Sequence, residues 1–303
     1  MSNSRRDENL NFIERLARWL NWPRFIFLVT LLFFLTGVLF PFYWMVSSSF
    51  KSYAEIGGTE PVYIPNALRL NAYRELFDPN HPSYQNFGEN VWNSVKVAVP
   101  TSILAVIIST LGAYAAARFR FKGKDLMLNS ILIIYLFPGI LLIIPIFAML
   151  AQIGTRLGFQ VQDNLAVLVF TYLAQTLPVA LYMLANYFRT VPAEIEEAAL
   201  IDGCGRLEVI WRVTLPLSIP ALVSVAIYTF MIAWNEFLYA FIFLNNHDLF
   251  TMPIKINAIF NDPSPRPHVV MAASTIMTLP VVTLFLALER FLTEGLTAGG
   301  VKG

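Results

Sequence analysis

Long apolar runs separated by short charged clusters set the pattern of this chain. A helix needs about 20 mostly apolar residues to cross the hydrocarbon of a bilayer, because lipid offers no partner to an unpaired backbone group. Segments at 25–47, 94–117, 126–150, 165–188, 217–243 and 269–290 meet that requirement. The pattern therefore predicts an all-α membrane protein with six transmembrane helices. The fifth run is the least regular, because Glu236 lies inside it. Ahead of the first run, Leu10, Ile13, Ala17 and Leu20 recur at helical spacing with Arg15 and Arg18 opposite. That arrangement fits a short helix lying in the membrane interface, with a frayed leader as the competing reading. The first run is too long for a signal-peptide core and no small-residue cleavage site follows it cleanly, so it reads as a retained helix.

Composition agrees with the bilayer: 56% of the residues are hydrophobic and only 14% charged, far from soluble averages. A net charge of +1 offers nothing to nucleic acid. Cys204 is the single cysteine and permits no internal disulfide, and His81, His247 and His268 are scattered rather than set at metal-ligand spacing. Where the charges sit is more informative than their sum. With the N-terminus inside, the inner side carries Arg5, Arg6, Arg15, Arg18, Arg24, Arg118, Arg120, Lys122, Lys124, Arg189, Arg206, Arg212, Arg290 and Lys302. The outer loops carry Lys51, Arg69, Arg74, Arg156, Lys255 and Arg266, with Lys96 at a boundary. This inward bias predicts that both termini are cytoplasmic.

The long outer segments 51–92 and 245–267 offer surface to a partner. Pro138, Pro145, Pro178, Pro220 and Pro280 fall in or near spans, where proline frees a carbonyl and kinks a helix. Kinks open room for a pathway, although proline is also simply commoner in membrane helices.

The inner loop between the fourth and fifth spans has the most explicit local signals. Pro192 suits a first helical position, Glu194, Glu196 and Glu197 complement the positive end of the helix dipole, and Gly203 falls where a left-handed cap belongs. A helix of about three turns follows, with Ala198 and Ala199 as a low-relief patch, Ile195 and Leu200 as apolar grip, and Glu197 and Asp202 open to basic partners. Glu197-Ala198-Ala199, Gly203 and Val213-Thr214-Leu215-Pro216 resemble the EAA signature of ABC-importer permeases, with Val213 where that family usually has isoleucine.

The resemblance extends to the carbohydrate-uptake branch, and especially to the smaller permease of maltose-type transporters. It rests further on Phe42 to Lys51, Ala113 to Arg118, Phe121 to Lys124, Ala233 to Phe237 and the tail Gly295 to Gly303. It implies the type I importer permease fold in a bacterial cytoplasmic (inner) membrane. The chain then divides into a cytoplasmic segment at 1–24, a permease domain at 25–292 containing the coupling loop 189–216, and a cytoplasmic tail at 293–303. The loop is expected to dock an ATPase through Glu197, Ala198, Ala199, Asp202, Gly203, Leu215 and Pro216, and Thr297, Ala298, Gly299 and Gly300 to make a second contact. Implied partners are a similar permease, two ATP-binding subunits, an extracytoplasmic sugar-binding protein and membrane lipid.

No Gly-x-x-x-x-Gly-Lys-Ser/Thr motif is present, so ATP and magnesium belong to a partner and this chain is expected to need no cofactor or metal and to carry no catalytic residue. Gln175, Tyr228 and Asn235 are polar residues in spans that suit a sugar path, with Trp234 as an aromatic face. Hydrogen bonds between helices and an interfacial aromatic belt compete for the same residues. Two other functions compete with sugar import: an ABC permease for a sugar phosphate or compatible solute, and an ion-coupled carrier built on Glu236.

Overall fold

The computed structural model describes residues 22–81, 84–264 and 266–300, with the backbone alone for 125, 129, 132, 134, 135 and 292–300. The expected interfacial helix at 7–20 lies outside the described residues. The long helix α1 (Trp22–Ser49) is followed by two short outer helices, α2 (Tyr53–Gly57) and α3 (Asn71–Leu76), then by α4 (Phe87–Arg118), α5 (Lys124–Tyr135), α6 (Gly139–Leu157) and α7 (Leu165–Phe188). Next come α8 (Ala193–Ile201), α9 (Arg206–Val209), a π-helical turn (Ile210–Thr214), α10 (Leu215–Leu217), α11 (Ile219–Asn235) and α12 (Leu238–Phe243). A 3-10 turn (His247–Leu249), α13 (Met252–Phe260) and α14 (Pro267–Gly300) complete the described chain.

Five of the described helices, α1, α4, α6, α7 and α14, are long and apolar enough to cross a membrane. The sixth candidate is a bent pair, in which the stretch 206–217 meets α11 at 84°. The third and fifth expected spans therefore need correction. The run 126–150 is interrupted after Tyr135, and its membrane-length helix is Gly139–Leu157. Pro138 is the cause: it cannot donate a backbone N–H, and it disfavours helical geometry at Phe137. The run 217–243 begins one helix later than its hydropathy suggests, at Ile219, and breaks again at Glu236 and Phe237. Pro145, Pro178 and Pro280 lie inside unbroken helices, while Pro220 sits in the first turn of α11.

Helix α4 is the hub, packed on α7 and α11, and α11 also touches α7 and α14, which in turn holds α1. Small side chains permit this close approach: Ala98, Ala105, Ala113 and Ala116 of α4 and Ala180 and Ala185 of α7 are buried. A Cβ on Gly112 would come within 2.9 Å of Leu181 Cδ1. Hydroxyls add cross-links, Ser102 donating to the Ala226 carbonyl at 2.9 Å and Thr229 to Ser102 Oγ at 3.1 Å. In contrast, the apolar side chains of α1 are exposed almost throughout.

Polar tethers gather the loops at the two ends of the bundle. At one end, Asn86 Nδ2 donates to Asp248 at 2.7 Å, Arg266 pairs with Glu75 at 2.7 Å, and Asn90 and Asn93 donate to the carbonyls of His247, Asp248 and Phe250. Asp163 Oδ1 accepts from the amides of Asn245 and Asn246 at the same end. At the other end, Arg118 closing α4 is joined to α8.

Candidate functional site

The exposed loop begins with α8, whose first turn carries Glu194 and Glu196 near unpaired amides. Pro192 sits one residue ahead of the helix rather than in it, and Gly203 adopts φ +93 just after the Asp202 cap. Only glycine takes that left-handed geometry without Cβ strain. Glu197, Ala198, Asp202 and Gly203 are exposed and Ala199 is half-buried, so the expected ATPase-facing residues of α8 share an accessible surface. Ile195, Ile201, Leu207 and Trp211 are also exposed, Ile201 by 86% and Trp211 by 69%. An apolar surface with acidic neighbours is the result. Leu215 and Pro216 serve a different purpose. Leu215 is half-buried against the inner core of Tyr114, Leu184, Phe188 and Ile210, and Pro216 lies directly after the π turn, in the short helix Leu215–Leu217.

Glu196 is turned the other way, and its role was not legible in the sequence. Its carboxylate is buried and accepts from Arg118 Nε and Nη2 at 2.9 Å each, from Thr214 Oγ1 at 2.9 Å and from Tyr114 OH at 3.3 Å. A two-pronged guanidinium contact of this kind is directional as well as strong. Arg118 Nη2 also donates to the Val191 carbonyl at 2.9 Å. One carboxylate thus ties α8 to the end of α4 and to the π turn that leads into α11. A group of three glutamates in a first turn reads as dipole complement; only packing distinguishes the one directed inward.

A second site lies where α6, α7 and α11 surround the Glu236 break. A cavity of about 1020 Å³ is lined by Gln175, Tyr228, Asn235, Glu236 and Tyr239, among apolar side chains including Phe137 and Phe170. Gln175 Oε1 is buried there with no hydrogen-bond partner, a costly state that a ligand hydroxyl relieves. Asn235 Nδ2 donates to its own helix, at the Met231 carbonyl, 2.8 Å away. Three of the four expected pathway residues therefore line one cavity. Trp234 does not. It is buried, stacked on Phe230 at 5.4 Å, and donates Nε1 to the Met277 carbonyl of α14 at 3.0 Å.

Glu236 is committed to the helix break: it accepts from Tyr172 OH at 2.6 Å, from the Tyr239 amide at 2.9 Å and from the Ala240 amide at 3.2 Å. These amides head α12 and have lost their helical carbonyls. The carboxylate replaces them, so an acid inside an apolar run has a structural duty. For the expected tail contact, the backbone of Thr297, Ala298, Gly299 and Gly300 continues α14 without interruption, and Val301 to Gly303 lie outside the described residues.

The family described as the binding-protein-dependent transport system inner membrane component matches residues 88–297, which include both the loop and the cavity. The chain belongs to this family. It is 42% identical over 270 residues to the inner membrane ABC transporter permease protein YcjP of Escherichia coli (strain K12), covering 89% of this chain and 93% of that one. It is also 37% identical over 268 residues to the trehalose/maltose transport system permease protein MalG of Thermococcus litoralis, covering 88% and 92%. The crystal structure of a bacterial ABC transporter involved in the import of the acidic polysaccharide alginate shares the fold, with a TM-score of 0.74 at 20% identity over 93% of this chain and 98% of that one. This permease is a multi-pass membrane protein, a transport subunit and not an enzyme.

Proposed function

We propose that this permease moves a saccharide through the cavity between α6, α7 and α11, and that α8 transmits the work of a separate ATPase to it. The supporting observation is the opposed pair on α8: Glu197 and Ala198 face outward, while Glu196 grips Arg118 and Thr214 behind them. The loop carrying α8 is flanked by α7 and α11, the helices that wall the cavity. Closure of an ATPase dimer against α8 would therefore pull on both walls and alternate the opening of the path.

In this reading Glu197, Ala198, Ala199, Asp202 and Gly203 contact the ATPase, Leu215 and Pro216 shape the lever behind them, and Thr297 to Gly300 make a second contact. Both termini are cytoplasmic. A similar permease closes the open side of the cavity, two ATP-binding subunits dock from the cytoplasm, and an extracytoplasmic sugar-binding protein delivers solute to the opposite end. The saccharide assignment is supported by the amide and hydroxyl groups of Gln175, Tyr228 and Asn235 in an otherwise apolar and aromatic wall, and by a relative named for trehalose and maltose. The test is reconstitution of the transporter with its binding protein and a screen of saccharides for stimulated ATP hydrolysis. Stimulation by a neutral disaccharide or oligosaccharide is expected; a full panel without effect overturns the saccharide assignment.

A further inference from the structure

At the end of the bundle opposite α8, a pocket of about 670 Å³ is lined by Lys51, Arg69, Glu75, Arg266 and His268, together with Ser52 and Tyr53. Its charges are unbalanced. Glu75 is the one carboxylate in the lining, and Arg266 neutralises it at 2.7 Å. Lys51 is only 2% exposed, and its ammonium meets the Trp44 ring at 3.9 Å and Ser48 Oγ at 3.4 Å. Among the described residues no carboxylate pairs with it. Glu55, the nearest acid in sequence, is already engaged by the Ser52 amide and hydroxyl and by the Asn66 amide. Arg69 is exposed and its guanidinium has no partner among the described residues. His268 is buried, and its Nδ1 has no hydrogen-bond partner. A buried ammonium without an anion and an orphaned imidazole nitrogen are each costly, and a single anion relieves both.

We propose that this pocket binds the phosphate of an anionic phospholipid, with Lys51 and Arg69 supplying charge and His268 a polar contact. Its position favours lipid over a protein carboxylate. Lys51 follows the last turn of α1 and His268 lies in the first turn of α14, two helices that pack together. Both expose apolar side chains below the pocket, including Phe33, Phe40 and Leu39 of α1 and Phe285 and Leu286 of α14, a surface that acyl chains can follow. Tyr43 and Tyr63 are exposed beside Trp44, as aromatic side chains are at headgroup depth. None of the helices that wall the solute cavity lines this pocket. Burial pushes the Lys51 ammonium below its ordinary value, with the Glu55 charge opposing that shift.

The test is native mass spectrometry of the purified full transporter after exchange into phosphatidylglycerol, phosphatidylcholine or inorganic phosphate alone. A phosphatidylglycerol adduct on this permease is expected, absent with phosphatidylcholine, and weakened about tenfold in Arg69→Gln by loss of one charge-assisted bond. Arg69→Lys should recover part of it, which controls for misfolding. Equal adducts in the original chain and Arg69→Gln overturn the proposal. Saturation by inorganic phosphate that blocks no lipid adduct also overturns it, as does an absent adduct with loss of affinity for the binding protein in Arg69→Gln, which reassigns the pocket to protein docking.

Discussion

Replacing Glu196 by alanine separates the two faces of α8. The substitution deletes four accepted hydrogen bonds, from Arg118 Nε, Arg118 Nη2, Thr214 and Tyr114, and leaves the Arg118 guanidinium, only 12% exposed, without its anion. Breaking a buried pair by removing one partner costs about 3–5 kcal/mol. The surviving bond from Arg118 to the Val191 carbonyl argues for the lower figure. About 3 kcal/mol shifts the docking of α8 on α4 by roughly two orders of magnitude. Amide exchange over 196–205 should accelerate by about that factor, and ATP consumed per solute moved should rise because the lever slips. Glu197→Ala supplies the contrast: its side chain faces outward, so exchange in α8 should stay unchanged while the ATPase binds less tightly. Unaltered exchange and unaltered coupling in Glu196→Ala would mean that this carboxylate does not hold α8 in place.

Three further outcomes follow from single contacts. Gly203→Ala forces a Cβ into φ +93 and should cost about 1–2 kcal/mol, seen as lowered transport with normal membrane insertion. Tyr172→Phe removes the 2.6 Å bond to Glu236; the loss of a bond to a charged acceptor, about 1.5–3 kcal/mol, should lower the unfolding temperature of the purified transporter. The Glu55 carboxyl is held down from 4.5 to about 2, first by the Ser52 amide, then by the Ser52 hydroxyl and the Asn66 amide. Its folded value is depressed, so its stabilisation is complete above about pH 4.5 and fades as pH falls through about 2. Exchange of the Ser52 and Asn66 amides, followed across that window, should report it, and Glu55→Gln should remove the pH dependence.

The hydrophobic pattern was enough to mark the first, second, fourth and sixth spans, the loop and its helix, because each depends on local chemistry: the length of an apolar run, the proline ahead of α8, the glycine after it. Gln175, Tyr228 and Asn235 were also visible as polar residues where lipid tolerates few. Pro138 ends a helix while Pro145 and Pro178 do not; Gly139 directly after Pro138 is a turn signal that the other two lack, but an unbroken apolar run on both sides masks it. Other features depended on contacts distant in sequence. Trp234 and Asn235 are adjacent in the chain, yet helix geometry points them about 100° apart, one into the α14 contact and the other into the cavity. The same rotation separates Glu196 from Glu197. Residue type and spacing placed both glutamates on a helix, but only the position of Arg118, brought from the end of α4, decided which one became the buried anchor and which stayed free to meet a partner.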